Sequence, residues 1–239
     1  IYFELLQTSN LIKKNIEDYR FDEAAKNAYH FAWHKYCDWY LELSKTILFS
    51  DNLKAKNEVK EVSVFVFREI LIMLHPFIPF VTEKIWLTNK FDNKNKNFLM
   101  LSNWISGKSK KDSDHKQVQQ IIDIISEIRS FKNELNVSPG SFIDISINSI
   151  KKNNQNFMAN NEIIIKKLGR INNFYKKDQN KPAASLIISG DLFKIYFDEN
   201  VDLNAIKENL LKRQNKYQEE MDKISQRLSN KGFVQRAPK

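Results

Sequence analysis

The chain has 239 residues, with 38 Lys or Arg against 29 Asp or Glu, which gives a formal net charge of +9. Hydrophobic residues make up 42% of it, enough for a buried core in one large or two modest domains. The charge indicates an anionic partner, with nucleic acid as the first candidate and a solvated Lys-rich surface as the alternative. The single cysteine excludes an internal disulfide framework and fits a cytoplasmic protein. The most apolar stretch, 62–81, contains charges and prolines, which argues against a membrane span.

The first part of the chain follows a helical period. The stretch 19–45 contains neither Gly nor Pro and places apolar and aromatic residues three and four apart, which predicts one unbroken amphipathic helix. Acidic residues after Phe21 favour a helix start, and Pro79 can open a helix without losing a hydrogen bond. Residues 1–105 therefore predict an antiparallel helical bundle. Its predicted helices are 2–17, 21–49, 56–74 and 79–89.

The middle of the chain predicts a different architecture. Residues 106–116 contain no apolar side chain and predict a linker. Residues 117–200 predict a small α/β domain, with Gly190-Asp191 as the tight turn of a hairpin. Its predicted elements are a helix at 118–135, a strand at 142–147, a short helix at 161–168, and two strands at 184–189 and 192–197.

The end of the chain predicts a long helix over 202–230. Leu203, Leu210, Tyr217 and Ile224 are seven residues apart, a narrow apolar seam that is typical of a coiled-coil strand. Asp202 can cap its start, and Gly232 can end it. Such a seam needs a partner helix, so we expect the exposed arm, 201–239, to self-associate when none is present. The predicted fold class is thus mainly α: an antiparallel bundle, a small α/β module and a long C-terminal coiled-coil helix.

Four stretches in the same order resemble one family. They are FAWHKYCDWYLELSK at 31–45, LHPFIPFVTEKIW at 74–86, IRSFKNELNVSPG at 128–140 and LSNKGFVQRAPK at 228–239. The first resembles the opening of the anticodon-binding bundle of valyl-tRNA synthetases, which are class I aminoacyl-tRNA synthetases, although His34 departs from the usual Asn. The second is shared among several class I synthetases, and the last resembles the tip of the valyl enzymes' coiled-coil arm.

The resemblance implies the C-terminal part of an enzyme that attaches valine to its tRNA with ATP and magnesium, and a parent protein that is monomeric. This chain does not begin with Met and lacks both the His-x-Gly-His and the Lys-Met-Ser-Lys motifs, so we expect a segment that is inactive alone. No Gly-rich loop could cradle phosphates, and we predict no cofactor within the chain. Two alternatives stay open: the same region of an isoleucyl enzyme, or a non-enzymatic RNA-binding or coiled-coil protein.

Aromatic and basic residues in the first long helix suit an unpaired RNA loop, and the resemblance implies the anticodon loop. Core packing is the alternative for Tyr29 and Trp33, and the favoured one for Trp39 and Tyr40. The predicted anticodon-side residues are Arg20, Lys26, Tyr29, His30, Trp33, His34 and Lys35.

On the arm, nine basic against five acidic residues over 202–239 favour phosphate contacts, and the resemblance implies the tRNA elbow. A solvated coiled-coil surface is the alternative. The predicted arm residues are Lys207, Lys212, Arg213, Lys216, Lys223 and Arg227.

One helical face also carries a set of potential metal ligands. His30, His34, Cys37 and Asp38 are spaced so that they could chelate zinc. No comparable cluster exists elsewhere in the sequence. We therefore predict that this helix face packs near the aromatic core and that the chain holds no metal.

Overall fold

The protein is described by a computed structural model over residues 1–91, 98–107, 113–147, 152–175, 182–188, 190–197 and 201–229. It forms two compact units, residues 1–119 and 120–239. The finer boundaries at 105, 116 and 200 stay a prediction. Within the described part, no helix is long and apolar enough to cross a membrane.

The first unit is helical, as predicted. Its elements are α1 (Tyr2–Glu17), α2 (Phe21–His30), a π-helical segment (Phe31–Leu41), α3 (Glu42–Leu48), α4 (Leu53–Leu74), α5 (Pro79–Thr88) and a 3₁₀ turn (Leu99–Leu101), followed by the start of α6 (Ser113–Glu134).

Local chemistry explains several helix ends in this unit. Just after α1, Tyr19 adopts the left-handed region (φ 58°), which lets the Arg20 amide donate to the Asn15 carbonyl at 2.7 Å. The Asn52 side chain accepts from the Ala55 amide at 3.1 Å, so α4 begins three residues before the predicted position. Pro79 occupies the first turn of α5, as predicted.

The long second helix differs from the expected uniform α-helix. The chain is helical from Phe21 to Leu48, but Phe31–Leu41 has the wider π turn with i to i+5 hydrogen bonding. Tyr36 fixes this segment to α4, because its buried hydroxyl donates to the Ser63 carbonyl at 2.9 Å. Burial raises the pKa of Tyr36 to about 12, with smaller effects from Tyr40 and Cys37.

The core of the first unit joins α1, α2, the π-helical segment and α4. The buried residues are Leu5, Ile12, Ala24, Ala28, Phe31, Tyr36, Val66, Ile70 and Met73. Tyr40 packs against this core and stacks on Tyr36, as expected for a core aromatic. A second cluster of Leu71, Trp86 and Leu99 joins α4 to α5.

The second unit holds a four-stranded sheet in the order β2-β1-β4-β3. β1 is parallel to β2 and antiparallel to β4, which also pairs antiparallel with β3. The strands are β1 (Ile143–Ile147), β2 (Ile171–Tyr175), β3 (Ala184–Ile188) and β4 (Asp191–Phe197), and α7 (Lys152–Gly169) lies between β1 and β2 in the sequence.

The predicted hairpin is present, with Gly190 at φ 84°. α7 is longer than the predicted helix 161–168, and β2 was not predicted. α6 begins inside the predicted linker.

The last helix is α8 (Leu203–Ser229), close to the predicted range. Asp202 caps it by accepting from the amides of Asn204 and Ala205. The helix buries no residue, and near its middle Arg213 donates to the Glu134 carbonyl at 2.8 Å. The predicted end at Gly232 lies outside the described residues. The predicted fold class is confirmed.

Candidate nucleic-acid interface

An aromatic pair stands on the surface where α2 passes into the π-helical segment. Tyr29 and Trp33 are 56% and 54% exposed, and their rings are nearly parallel (7°) with centroids 6.2 Å apart. Burial therefore does not account for these two rings. A half-exposed pair of this kind offers a flat surface on which an unpaired base can stack.

Two histidines adjoin the pair. The rings of His30 and His34 lie 5.0 Å apart, and His34 meets Tyr29 edge to face at 6.3 Å. The His34 Nδ1 is 3.0 Å from an oxygen of Asp38, one turn further along. The carboxylate thus orients the His34 ring, and the cluster combines stacking surface with polar ring atoms.

The predicted cations are placed unequally around this cluster. Lys26 is exposed, three residues before Tyr29 on the same helix, and lies 3.9 Å from Glu23. Arg20 is exposed at the start of α2. Lys35 instead faces α1, where its amine lies 3.8 Å from Glu4, so the structure does not bring it to the aromatic surface.

A second exposed aromatic pair was missed by the sequence analysis. Tyr19 and Phe21 flank Arg20 in the turn between α1 and α2, are 83% and 53% exposed, and meet edge to face at 6.2 Å. The signal was present in the sequence as an Arg between two aromatics at a helix boundary. Its left-handed residue could not be foreseen, because Tyr rarely adopts that conformation.

Metal and thiol chemistry find no support in this surface. Within the described ranges, no group of three or more His, Cys, Asp or Glu is arranged to hold a metal ion. Partial burial, and secondarily the charge of Asp38, raises the pKa of the Cys37 thiol. A raised pKa keeps the thiol protonated at neutral pH, which is the opposite of an activated nucleophile.

The predicted arm residues all lie on one exposed helix. Lys207, Lys212, Lys216, Lys223 and Arg227 are exposed along α8. The sixth, Arg213, is also exposed, but its contact with the end of α6 gives it a structural role as well. The apolar seam of the same helix is exposed too, with more than half of the surface of Leu203 and Ile224 accessible.

Comparison with known proteins places this geometry in a family. Residues 1–147 match the family described as anticodon-binding domain of tRNA ligase, and residues 202–239 match the family described as valyl tRNA synthetase tRNA binding arm. The first match covers more than half of the chain. The chain therefore belongs to the family of anticodon-binding domains of tRNA ligases, and it carries tRNA-binding domains.

Individual relatives agree with both matches. Over its full length the chain is 70% identical to the valine–tRNA ligase of Pelagibacter ubique (strain HTCC1062), of which it covers 27%. Over 99% of its length it is 32% identical to that of Bartonella quintana (strain Toulouse) and 31% identical to that of Brucella suis biovar 1 (strain 1330), each covered to 26%. The chain thus spans about a quarter of the relatives' length. The resemblance drawn from the sequence is confirmed: the chain corresponds to the anticodon-binding and tRNA-binding-arm region of valine–tRNA ligase.

Proposed function

We propose that this chain recognises the anticodon stem-loop of a valine tRNA and positions that tRNA for a larger enzyme, which attaches valine to it with ATP. The observation that carries the proposal is the exposed, nearly parallel pair of Tyr29 and Trp33 in a family of anticodon-binding domains. ATP and magnesium would act in another part of the whole protein, which we propose to be a cytoplasmic monomer.

Each predicted residue takes a role that its surroundings support. Tyr29 and Trp33 stack on unpaired bases, and the polar atoms of His30 and His34 contact base edges. Arg20 and Lys26 contact backbone phosphates next to them. Lys35 acts indirectly, because its ion pair with α1 supports the segment that carries the two histidines.

The arm contributes charge rather than sequence recognition. Its exposed lysines and arginines contact phosphates at the tRNA elbow, which adds salt-dependent affinity for any tRNA. In the isolated chain, the exposed seam of the arm associates with a second copy.

Binding to two RNAs tests the anticodon role. The chain should bind valine tRNA more tightly than the same tRNA with a swapped anticodon, when both are measured at physiological salt. Equal affinities would remove anticodon recognition and leave only charge attraction. An assay of valine-dependent ATP–pyrophosphate exchange should give background with this chain alone, and measurable exchange would contradict the proposed division of labour.

A further inference from the structure

The arm helix α8 meets the rest of the second unit along one side of its first half. Of its described side chains, Ile206 alone is half-buried and all others are exposed. Within the described residues, a single hydrogen bond joins α8 to another helix or strand: the Arg213 guanidinium donates from Nη1 to the Glu134 carbonyl at 2.8 Å. Ile206 and Arg213 are seven residues apart, so they lie on the same side of the helix.

The Glu134 carbonyl belongs to the end of α6, where helical carbonyls need donors from outside the helix. The chain turns just after α6, with Asn136 in the left-handed region (φ 55°). Backbone amides of this turn take three of the last four carbonyls: Leu135 donates to Phe131, Asn136 to Asn133 and Val137 to Lys132. Arg213 supplies the donor for the fourth. Its charge also faces the negative end of the helix dipole, which strengthens the contact.

Stabilisation of α6 alone does not explain this contact. The Glu134 carbonyl lies at the surface, where water can also satisfy the last carbonyls of a helix. The donor instead comes from a residue 79 positions further along the chain. The contact therefore links the end of α6 to a helix that buries no residue, and its defined geometry can hold that helix in one direction.

Arg213 also stands in the line of the apolar seam of α8. The seam positions alternate in steps of three and four. In the first half of the helix they are Leu203, Ile206, Leu210, Arg213 and Tyr217. A partner helix that covered Arg213 would bury its charge, which is costly unless an opposite charge is supplied. Arg213 thus separates the part of α8 that leans on the second unit from the part whose seam is open to a partner.

We propose that Arg213 is the positioning residue of the arm: its contact with the end of α6 fixes the direction of α8 relative to the four-stranded sheet. From Arg213 to Ser229 the helix continues for about 24 Å, at 1.5 Å per residue. A swing of about 20° at Arg213 would displace Ser229 by about 8 Å, far more than a hydrogen bond to a phosphate tolerates. The cations of the arm can therefore meet an RNA backbone together only while this contact holds. The consequence for tRNA rests on the proposed function, whereas the direction of the arm does not.

Distances between two spin labels test the positioning without any RNA. The labels are attached to cysteines that replace Asn172 of β2 and Gln226 of α8, both exposed, in the full 239-residue chain with its own exposed Cys37 replaced by Ser. An excess of unlabelled chain suppresses distances between copies. The chain with Arg213 intact should give one narrow distance distribution, and Arg213→Gln should broaden it. Arg213→Lys, which keeps a charged donor, should restore much of the narrow distribution.

Lys212→Gln is the matched control. It removes the same charge from the adjacent exposed position and leaves the contact between Arg213 and Glu134 in place. The distance distribution should therefore stay narrow in this variant. If Arg213→Gln and Lys212→Gln give the same distribution, the contact does not position the arm and the proposal is wrong.

The salt dependence of tRNA binding separates positioning from charge. Lys212→Gln should change the slope of log K against log salt, so its effect should vanish on extrapolation to about 1 M salt. Arg213→Gln should in addition lower K at every salt concentration, by roughly 2- to 5-fold, which is the contribution of a cation at an exposed helix end.

Two results of this measurement decide between the roles of Arg213. If Arg213→Gln alters only the slope, as Lys212→Gln does, Arg213 is a phosphate contact rather than a positioning residue, and the proposal is overturned. If the chain binds no tRNA while Arg213→Gln broadens the distances, the proposed function fails and the positioning of α8 by Arg213 stands.

Discussion

Removal of the Trp33 ring tests the candidate interface most directly. The side chain is 54% exposed and stacks on Tyr29, so Trp33→Ala takes away a surface ring without opening a cavity in the core. The buried residues of this segment, Phe31 and Tyr36, are untouched. We therefore expect the free energy of unfolding to change little, as is usual for surface substitutions.

The effect on RNA binding should be much larger. Stacking of a base on an aromatic side chain is worth about 1–3 kcal/mol by alanine substitution. At 25 °C this corresponds to a roughly 5- to 150-fold weaker Kd for the anticodon stem-loop. Because Trp33 and Tyr29 form one stacked pair, Tyr29→Ala should not add its full effect to that of Trp33→Ala.

The assay is a competition binding measurement with an anticodon stem-loop RNA at fixed salt, on the two single variants and the double variant. Phe80→Ala is the matched control, since Phe80 is an aromatic residue of the same unit, 90% exposed, and outside the interface. Trp33→Phe, which keeps a ring, should lose less than Trp33→Ala. If Trp33→Ala binds as well as Phe80→Ala, the exposed pair is not a stacking surface and the reasoning fails.

Other side chains with a dominant contact give further predictions. Tyr36→Phe removes a buried hydrogen bond to α4 and should lower the free energy of unfolding in urea by about 1 kcal/mol; an unchanged urea midpoint would contradict this. Burial raises the pKa of Glu4, but its hydrogen bond to His115 and the charge of Lys35 act in the opposite direction, and the pKa lies below its ordinary 4.5. The stability that this interaction contributes is present above about pH 4.5 and is lost as the pH falls below it. Glu4→Gln should therefore reduce the loss of stability between neutral and acid pH. If the loss is unchanged in the variant, the contact of Glu4 with His115 is not its cause. Replacing Lys212 and Lys216 by Gln should reduce the slope of log K against log salt for tRNA binding by about 1.5, while replacing both by Arg should leave the slope unchanged. Equal slopes for the double Gln and the double Arg variant would show that these charges of the arm do not contact phosphate.

The sequence predicted the elements whose ends are set by local chemistry. Asp202 before α8, Pro79 at the start of α5 and Gly190 in the hairpin each act within a few residues, and each does so in the structure. The domain family could also be predicted from the sequence, because its motifs are specific runs of residues rather than periodic patterns.

Elements set by tertiary context were missed. β2 has the sequence INNFY, and its two Asn residues disfavour a strand. It forms because β1 offers a parallel edge, and because Asp144 of β1 accepts from both the backbone and the side-chain amide of Asn173. The first part of α7 is rich in Asn, which has a low helix propensity, and the predicted helix began only at residue 161.

In the candidate interface, too, tertiary contacts decide a feature that the sequence did not predict, namely which single side chains are exposed. Sequence periodicity left Tyr29 and Trp33 undecided between core and surface, because the same residue types serve both purposes. In the structure Phe31 and Tyr36 are the aromatics that enter the core, where the Ser63 carbonyl of α4 accepts from the Tyr36 hydroxyl. Tyr29 and Trp33, four residues apart, lie together on the outside, on either side of the start of the π-helical segment. A contact with another helix thus decides which aromatic side chains of this helix are buried and which stay exposed to RNA. The amino-acid sequence alone does not reveal that contact.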